Sequence, residues 1–145
     1  MSVQVFRTSS EEETIELGRE LAKLLPAHCV VLLIGKLGAG KTTLAKGIVS
    51  GLGAAPEEEV SSPTFTLIHE YGEKVYHVDL YRLEKAEEAA ALGLDELFDR
   101  EAVALVEWGE RFPELMPEGR VEIRIETLAD EERRFTIRRR LSGPG

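Results

Sequence analysis

A glycine-rich segment at residues 35–42, with the sequence GKLGAGKT, fits the pattern G-x-x-x-x-G-K-[ST] and constrains the fold more than any other feature. An uninterrupted apolar run precedes it at residues 29–34, and apolar residues recur at helical spacing over residues 42–52. The run is too short for a helix and predicts a strand covered on both faces, as in a parallel sheet. The segment therefore predicts a strand, a tight turn and a helix in an α/β fold.

The predicted turn is suited to binding phosphate groups. Unpaired N–H groups and the dipole at a helix N-terminus favour anions, and glycines let the backbone wrap closely around phosphate oxygens. We expect Lys41 to reach the β- and γ-phosphates of a nucleotide, the Thr42 hydroxyl to bind Mg²⁺, and Thr43 to contact the α-phosphate. The predicted nucleotide contacts of the turn are Gly35, Gly38, Ala39, Gly40, Lys41, Thr42 and Thr43.

A first helix is expected before this unit. It begins at Ser9 or Ser10, since each serine is followed three residues later by a glutamate, and its apolar stripe runs from Ile15 to Leu25.

The chain after the glycine-rich segment predicts further strands and helices. Residues 64–71 and 74–80 predict a hairpin, and residues 84–100 predict one or two helices broken at Gly93. Residues 102–106 predict a second buried strand, and alternation in residues 120–126 and 133–140 predicts a hairpin with one solvated face. We expect one domain over residues 1–145 with a P-loop NTPase-like three-layer fold, in which a mainly parallel central sheet carries antiparallel hairpin additions.

Two acidic residues are candidate partners of the phosphate-binding turn. Asp79 follows the apolar residues of one predicted strand, and Glu107 follows the buried strand at residues 102–106. Both carboxylates are expected at the carboxyl ends of strands, where such folds bind ligands, and either could hold Mg²⁺ or its waters. Nearby, Trp108 is interpreted as a packing residue and His77 as an ordinary strand residue.

Composition and charge exclude several classes of function. No apolar run approaches the roughly 20 residues that span a bilayer, and the single Cys29 excludes an internal disulfide and favours the cytoplasm. The net charge of -9 should repel nucleic-acid phosphates, so stand-alone nucleic-acid binding is not expected. The chain contains no Asn, so the Asn-Lys-x-Asp motif with which regulatory GTPases select guanine is absent, and ATP is favoured.

Four segments together resemble the bacterial TsaE (YjeE) family. They are residues 38–43 (GAGKTT), residues 62–67 (SPTFTL), residues 77–83 (HVDLYRL) and the pair Glu107-Trp108, in that order. The first segment is shared by all P-loop proteins, whereas the last two together are highly specific. The resemblance covers roughly residues 9–126 of the chain.

The resemblance implies an ATPase required to make threonylcarbamoyladenosine beside the anticodon of tRNAs, in a complex with TsaB and TsaD. It implies that Thr42 and Glu107 hold Mg²⁺, that Asp79 is the Walker B-like acid, and that Thr64 belongs to a nucleotide-sensing loop. A residue near Ser9 or Ser10 and an arginine near Arg133 are implied contacts of the base or ribose. The predicted catalytic residues are Lys41, Thr64, Asp79 and Glu107.

Two other classes of function stay open, a small-molecule kinase and a nucleotide-regulated adaptor that does not hydrolyse its nucleotide. We expect slow hydrolysis by the isolated protein, because only Arg82 lies near the predicted site and no arginine finger is evident. A partner with a basic surface would complete the site. The link to tRNA is therefore expected to run through protein partners in the cytoplasm, without a membrane.

Overall fold

A computed structural model of the chain describes residues 3–63 and 67–140. Its strands are β1 Val3–Thr8, β2 Cys29–Ile34, β3 Ile68–Tyr71, β4 Val75–Asp79, β5 Val103–Glu107, β6 Arg120–Ala129 and β7 Glu132–Arg140. Its helices are α1 Glu11–Ala22, α2 Lys41–Gly51, α3 Ala86–Ala90 and α4 Leu94–Phe98, with 3₁₀ turns at Glu57–Glu59, Gly109–Arg111 and Pro113–Leu115. The seven described strands form one sheet in the order β1-β7-β6-β2-β5-β4-β3.

The centre of the sheet is parallel. Strand β2 pairs in parallel with β5 and β6, and β5 pairs in parallel with β4. Towards the edges, β3 is antiparallel to β4, β7 to β6, and β1 to β7. The predicted α/β class, with a mainly parallel centre and antiparallel hairpin additions, is confirmed. Residues 64–66 of the first predicted hairpin lie outside the described residues.

Helices cover both faces of the central strands, which gives three layers. Alternate residues of β2 point to opposite faces: Val31 and Leu33 join the apolar cluster that includes α1 and α2, whereas Val30 and Leu32 join the cluster that includes α3 and α4. The predicted break at Gly93 is confirmed, since Gly93 separates α3 from α4 and has a φ of 76°. No helix in the described part of the chain is long and apolar enough to cross a bilayer.

The start of α1 depends on the two serines that the sequence singles out. Ser10 is the N-cap, and its Oγ accepts a hydrogen bond from the Glu13 N–H at 3.1 Å. The Glu13 carboxylate in turn accepts a hydrogen bond from the Ser9 N–H at 2.7 Å. The predicted helix start is therefore confirmed, with Ser10 as the capping residue.

The predicted apolar stripe of α1 is only partly correct. The helix ends at Ala22, and Leu24, placed beyond the last turn, is exposed. Close backbone contact with α2 accompanies the stripe, since a Cβ atom on Gly47 would overlap the carbonyl oxygen of Ile15. Glycine is therefore required where the two helices cross.

Strand β1 is not predicted by the sequence pattern. It pairs with β7 from Val3 opposite Arg138 to Thr8 opposite Arg133. Strands β6 and β7 contribute apolar residues to the cluster on the α1 and α2 face only, which confirms the predicted hairpin with one solvated face. Val5 of β1 is 57% exposed on that open face.

Candidate functional site

The predicted phosphate-binding turn joins β2 to α2. Gly38 and Gly40 have φ angles of 80° and 109°, in the left-handed region that favours glycine. Gly40 is the N-cap of α2, which begins at Lys41. Because glycine has no side chain with which to cap a helix, the N–H groups of the first turn are available to an anion.

The Lys41 side chain is buried beside this turn and is only 4% exposed. Its Nζ donates a hydrogen bond to the Gly35 carbonyl at 2.7 Å and lies 3.6 Å from the centroid of the Trp108 ring. Burial lowers the pKa of Lys41, and nearby carboxylates, Glu107 foremost, act in the opposite direction. The ammonium group has no ion pair within 4.0 Å among the described residues.

The two predicted acids meet this turn from neighbouring strands. Asp79 and Glu107 end β4 and β5 and face each other in the register of the sheet. The Thr42 hydroxyl donates to Glu107 Oε2 at 3.3 Å. Ser62 Oγ donates to Asp79 Oδ2 at 3.1 Å, and the Tyr81 N–H donates to Oδ1 at 2.9 Å. The carboxyl ends of the parallel strands therefore bring both acids to the start of α2.

A cavity of about 450 Å³, here named the loop cavity, is lined by Lys41, Thr42, Asp79 and Glu107 together with further residues of the turn. A larger cavity of about 580 Å³ shares Trp108 with it but has neither Thr42 nor the two acids in its lining. The ammonium, hydroxyl and carboxylate groups favour the loop cavity as the place where phosphates would bind.

A small cavity of about 140 Å³ adjoins the turn and is lined by Ser10, Thr14 and Arg133 among others. Arg133 Nε donates to the Ala39 carbonyl at 3.0 Å, which places the guanidinium against the turn. Ser9 is exposed, and Ser10 is the serine in the cavity wall. Ser9 and Arg133 remain predicted base or ribose contacts.

Thr64 lies outside the described residues, so its predicted role in nucleotide sensing stays a prediction. Its neighbour Ser62 is described and lines the loop cavity. The hydroxyl-rich segment at residues 61–66 thus reaches the cavity at one position at least. Ser62 contacts Asp79, which connects this segment to the acids.

Two residues that sequence reasoning did not place in the site flank the acids. His77 is 0% exposed, and its Nε2 lies 2.6 Å from Glu107 Oε2. Trp108, with a left-handed φ of 67°, packs its ring 5.1 Å from that of Tyr81 and under the Lys41 ammonium. Proximity in sequence was the available signal, because His77 is two residues before Asp79 and Trp108 directly follows Glu107.

The donors of the loop cavity suit Mg²⁺. This cation prefers oxygen ligands, which the Thr42 hydroxyl and the carboxylates of Asp79 and Glu107 supply. Across the described residues, no group of three or more His, Cys, Asp or Glu side chains is arranged to hold a metal ion. Mg²⁺ commonly keeps several waters and binds substrate phosphates with one or two protein ligands. The residues therefore fit a metal that binds together with a phosphate-containing ligand.

Comparison with known proteins identifies the family. A family model described as "Threonylcarbamoyl adenosine biosynthesis protein TsaE" matches residues 8–135. The chain belongs to the TsaE family. The match includes the turn, both acids, His77 and Trp108, so every described group that lines or supports the loop cavity lies within the matched range.

Individual TsaE proteins are similar to this chain over most of its length. The tRNA threonylcarbamoyladenosine biosynthesis protein TsaE of Bacillus subtilis (strain 168) is 43% identical over 135 residues, covering 91% of this chain and 83% of the relative. The protein of that name from Treponema pallidum (strain Nichols) is 40% identical over 130 residues, covering 88% and 95%. The crystal structure of YdiB from Bacillus subtilis superposes with a TM-score of 0.76 at 36% identity, covering 94% of this chain and 84% of YdiB. The chain is thus a member of a family of tRNA threonylcarbamoyladenosine biosynthesis proteins.

Proposed function

We propose that this TsaE family protein binds and hydrolyses ATP with Mg²⁺, as a component of the bacterial complex that makes tRNA threonylcarbamoyladenosine with TsaB and TsaD. The observation that carries the proposal is the convergence of Lys41, Thr42, Asp79 and Glu107 on one cavity at the N-terminus of α2. A phosphate-binding turn, oxygen ligands for a metal and a further carboxylate are the groups that ATP hydrolysis requires.

Each group has a role in this proposal. The N–H groups at the start of α2 and the Lys41 ammonium bind the β- and γ-phosphates. When the nucleotide binds, Lys41 gives up its hydrogen bond to the Gly35 carbonyl and donates to phosphate oxygens instead. Thr42 and Glu107 hold Mg²⁺, which neutralises phosphate charge when it is bound. Asp79 orients a water for in-line attack on the γ-phosphorus, and the bond to the ADP oxygen breaks, which releases ADP and phosphate.

The composition of the cavity supports slow hydrolysis without a partner. Among the described residues, Lys41 is the only cation in the lining of the loop cavity, so charge that develops in the transition state has few positive groups to stabilise it. Leu37, at the tip of the turn, is 71% exposed and lies in the same lining. A partner that covers this apolar tip and adds a positive charge would accelerate the reaction.

The same proposal accounts for tRNA without direct contact. A net charge of -9 opposes binding of a phosphate backbone, so TsaB and TsaD would bring the tRNA. We propose the cytoplasm as the site of action, because both ATP and tRNA are found there and the single cysteine suits a reducing compartment.

Rates of ATP hydrolysis with and without TsaB and TsaD test the proposal. We expect the partners to raise the wild-type rate at least about tenfold, and Lys41→Ala and Glu107→Ala to lower the rate of the assembled complex at least about 100-fold. Lys46→Ala is the matched control, since Lys46 lies on the same helix outside the lining of the loop cavity. It should hydrolyse ATP like the wild type.

Other outcomes would favour the alternatives. ADP release that depends on a small acceptor, and not on TsaB and TsaD, would indicate a kinase. Nucleotide binding without turnover, in the complex as well as alone, would indicate an adaptor. A rate that neither partners nor the two substitutions change would contradict the proposed site.

A further inference from the structure

His77 is a fully buried polar side chain that contacts Glu107, a lining residue of the loop cavity. It lies on β4 two residues before Asp79, so both side chains point to the same face of the sheet. On that face its neighbours Val75 and Leu105 are apolar and 0% exposed. Burying a polar group in such surroundings costs free energy unless the group is hydrogen-bonded, and the contact with Glu107 supplies a hydrogen bond to His77.

The two ring nitrogens of His77 have different surroundings. Nε2 lies 2.6 Å from Glu107 Oε2, whereas Nδ1 is buried and has no hydrogen-bond partner among the described residues. His77 Nε2 faces a carboxylate oxygen, which accepts hydrogen bonds, so the ring hydrogen at Nε2 makes this contact and the N–H donates to Glu107.

Glu107 is held from two elements through one oxygen. Oε2 accepts hydrogen bonds from His77 on β4 and from the Thr42 hydroxyl on α2, at 2.6 and 3.3 Å. Oε1 has no hydrogen bond from any described residue, and it is not enclosed as His77 Nδ1 is. The carboxylate is thus fixed by one oxygen and has the other available to the cavity.

We propose that His77 is a positioning residue that fixes the Glu107 carboxylate so that Oε1 is presented to the metal ion of the bound nucleotide. The inference rests on the proposed function, because it assumes that nucleotide and Mg²⁺ bind together in the loop cavity. Outer hydrogen bonds of this kind orient metal ligands, and their loss typically costs 10- to 100-fold in metal affinity. Lys41 and the N–H groups of α2 do not depend on this contact, so metal-free nucleotide binding should persist without it.

Two amide substitutions at His77 distinguish the hydrogen bond to Glu107 from the mere presence of a polar side chain at this position. In His77→Gln the amide nitrogen lies near the position of Nε2 and can still donate to Glu107, whereas in His77→Asn it lies near that of Nδ1 and cannot. The readout is the dissociation constant of ADP by titration calorimetry, once with Mg²⁺ and once with EDTA. Their ratio measures how strongly metal and nucleotide binding are coupled.

We expect wild type and His77→Gln to bind ADP more tightly with Mg²⁺ than with EDTA. In His77→Asn, the ratio of the two dissociation constants should be at least about tenfold smaller than in the wild type. Affinity in EDTA should stay within about twofold in all three proteins. His77→Leu, an apolar residue suited to this part of the core, should fold and lose the ratio too, so the test remains if the Asn variant does not fold. Thermal unfolding establishes which variants are folded.

The outcomes distinguish the two proposals. If folded His77→Asn or His77→Leu keeps the wild-type ratio, the positioning role of His77 is wrong and the proposed function is unaffected. If the wild type binds no ADP, or binds it equally with Mg²⁺ and with EDTA, the proposed function fails and the role of His77 fails with it. If a His77 variant lost as much ADP affinity in EDTA as in Mg²⁺, the role of His77 would be merely structural.

Discussion

Apart from the edge strand β3, the described strands of the sheet fall into two groups that differ in their surroundings. Strands β2, β4 and β5, the covered strands, place apolar residues in the clusters on both faces. Strands β1, β6 and β7, the outer strands, pack against the α1 and α2 face only, and their other face is open in the described part of the chain. A covered strand cannot shift without disturbing two packed layers, whereas an outer strand is fixed from one side.

The chemistry follows the same division. The phosphate-binding turn extends β2, and Asp79 and Glu107 end the other two covered strands. The outer strands supply Arg133 to the small cavity and present exposed arginines such as Arg124 and Arg138 on the open face. Buried charged groups need partners at fixed distances, and packing on both faces provides that precision. The comparison therefore associates two-sided packing with the buried acids and one-sided packing with exposed charge.

The largest difference is expected for one substitution made in both groups. Val31→Ala on β2 removes two methyl groups at a position that is 0% exposed, and Val5→Ala on β1 removes them at a position that is 57% exposed. We expect the free energy of unfolding to fall by about 2 kcal/mol for Val31→Ala and by less than about 0.5 kcal/mol for Val5→Ala. Urea unfolding of both variants measures this. Equal losses of the free energy of unfolding in the two variants would show that the open face is packed in solution. The covered and outer strands would then not differ in packing.

A smaller effect, of opposite sign, is expected for Lys41, which begins α2 beside the covered strands. Its ammonium is buried without an ion pair in the described structure, so Lys41→Met should raise the free energy of unfolding by about 1 kcal/mol while abolishing ATP binding. Lys46→Met, on the same helix, is the control and should change stability by less than about 0.5 kcal/mol. A destabilised Lys41→Met protein would mean that the contacts with Gly35 and Trp108 outweigh the cost of burying the charge.

The lowered pKa of Lys41 adds a pH dependence to that prediction. The unfolded chain keeps the lysine proton up to its ordinary pKa of 10.5, whereas the folded protein releases it at lower pH. Between these two pKa values the unfolded chain binds more protons, so the stability of the wild type rises with pH relative to Lys41→Met. The advantage of the variant should therefore shrink as the pH of the unfolding experiment approaches 10.5. A constant difference would contradict the lowered pKa.

Local patterns in the sequence predict the covered strands and the hairpin of β6 and β7 but not β1. The apolar run at residues 29–34 and the strand at residues 102–106 are found within one residue of β2 and β5, because strands buried on both faces are continuous apolar segments. Strand β1 is missed since its two valines face the open side and its partner β7 lies more than 120 residues later. The apolar stripe of α1 is predicted too far, because the helix ends at Ala22 and Leu24, beyond that end, is exposed.

For the site, the sequence predicts which groups are present and misses what supports them. Lys41, Thr42, Asp79 and Glu107 are predicted from the motif and from strand ends, and the structure brings all four to one cavity. The contact of His77 with Glu107 depends on the register between β4 and β5, which sets Glu107 opposite Asp79 and so diagonally beside His77, 30 positions earlier in the chain. No local periodicity specifies that register, so His77 resembles any other strand residue in the sequence.

The smallest effect is expected on the open face, at the ion pair of Glu126 and Arg134. Two guanidinium nitrogens donate to the carboxylate oxygens at 3.2 and 3.0 Å, and this hydrogen bonding lowers the pKa of Glu126. The pair therefore stabilises the protein above the ordinary pKa of 4.5, and the contribution is lost as pH falls through the lowered value. Since both side chains are partly exposed and screened by salt, Glu126→Gln should lower the thermal midpoint only slightly near neutral pH, and the effect should vanish as pH falls below the lowered pKa of Glu126. If Glu126→Gln lowered the thermal midpoint as much as Val31→Ala does, the division of the sheet would be contradicted. A charge pair on the outer strands would then stabilise the fold as much as packing does in the covered strands.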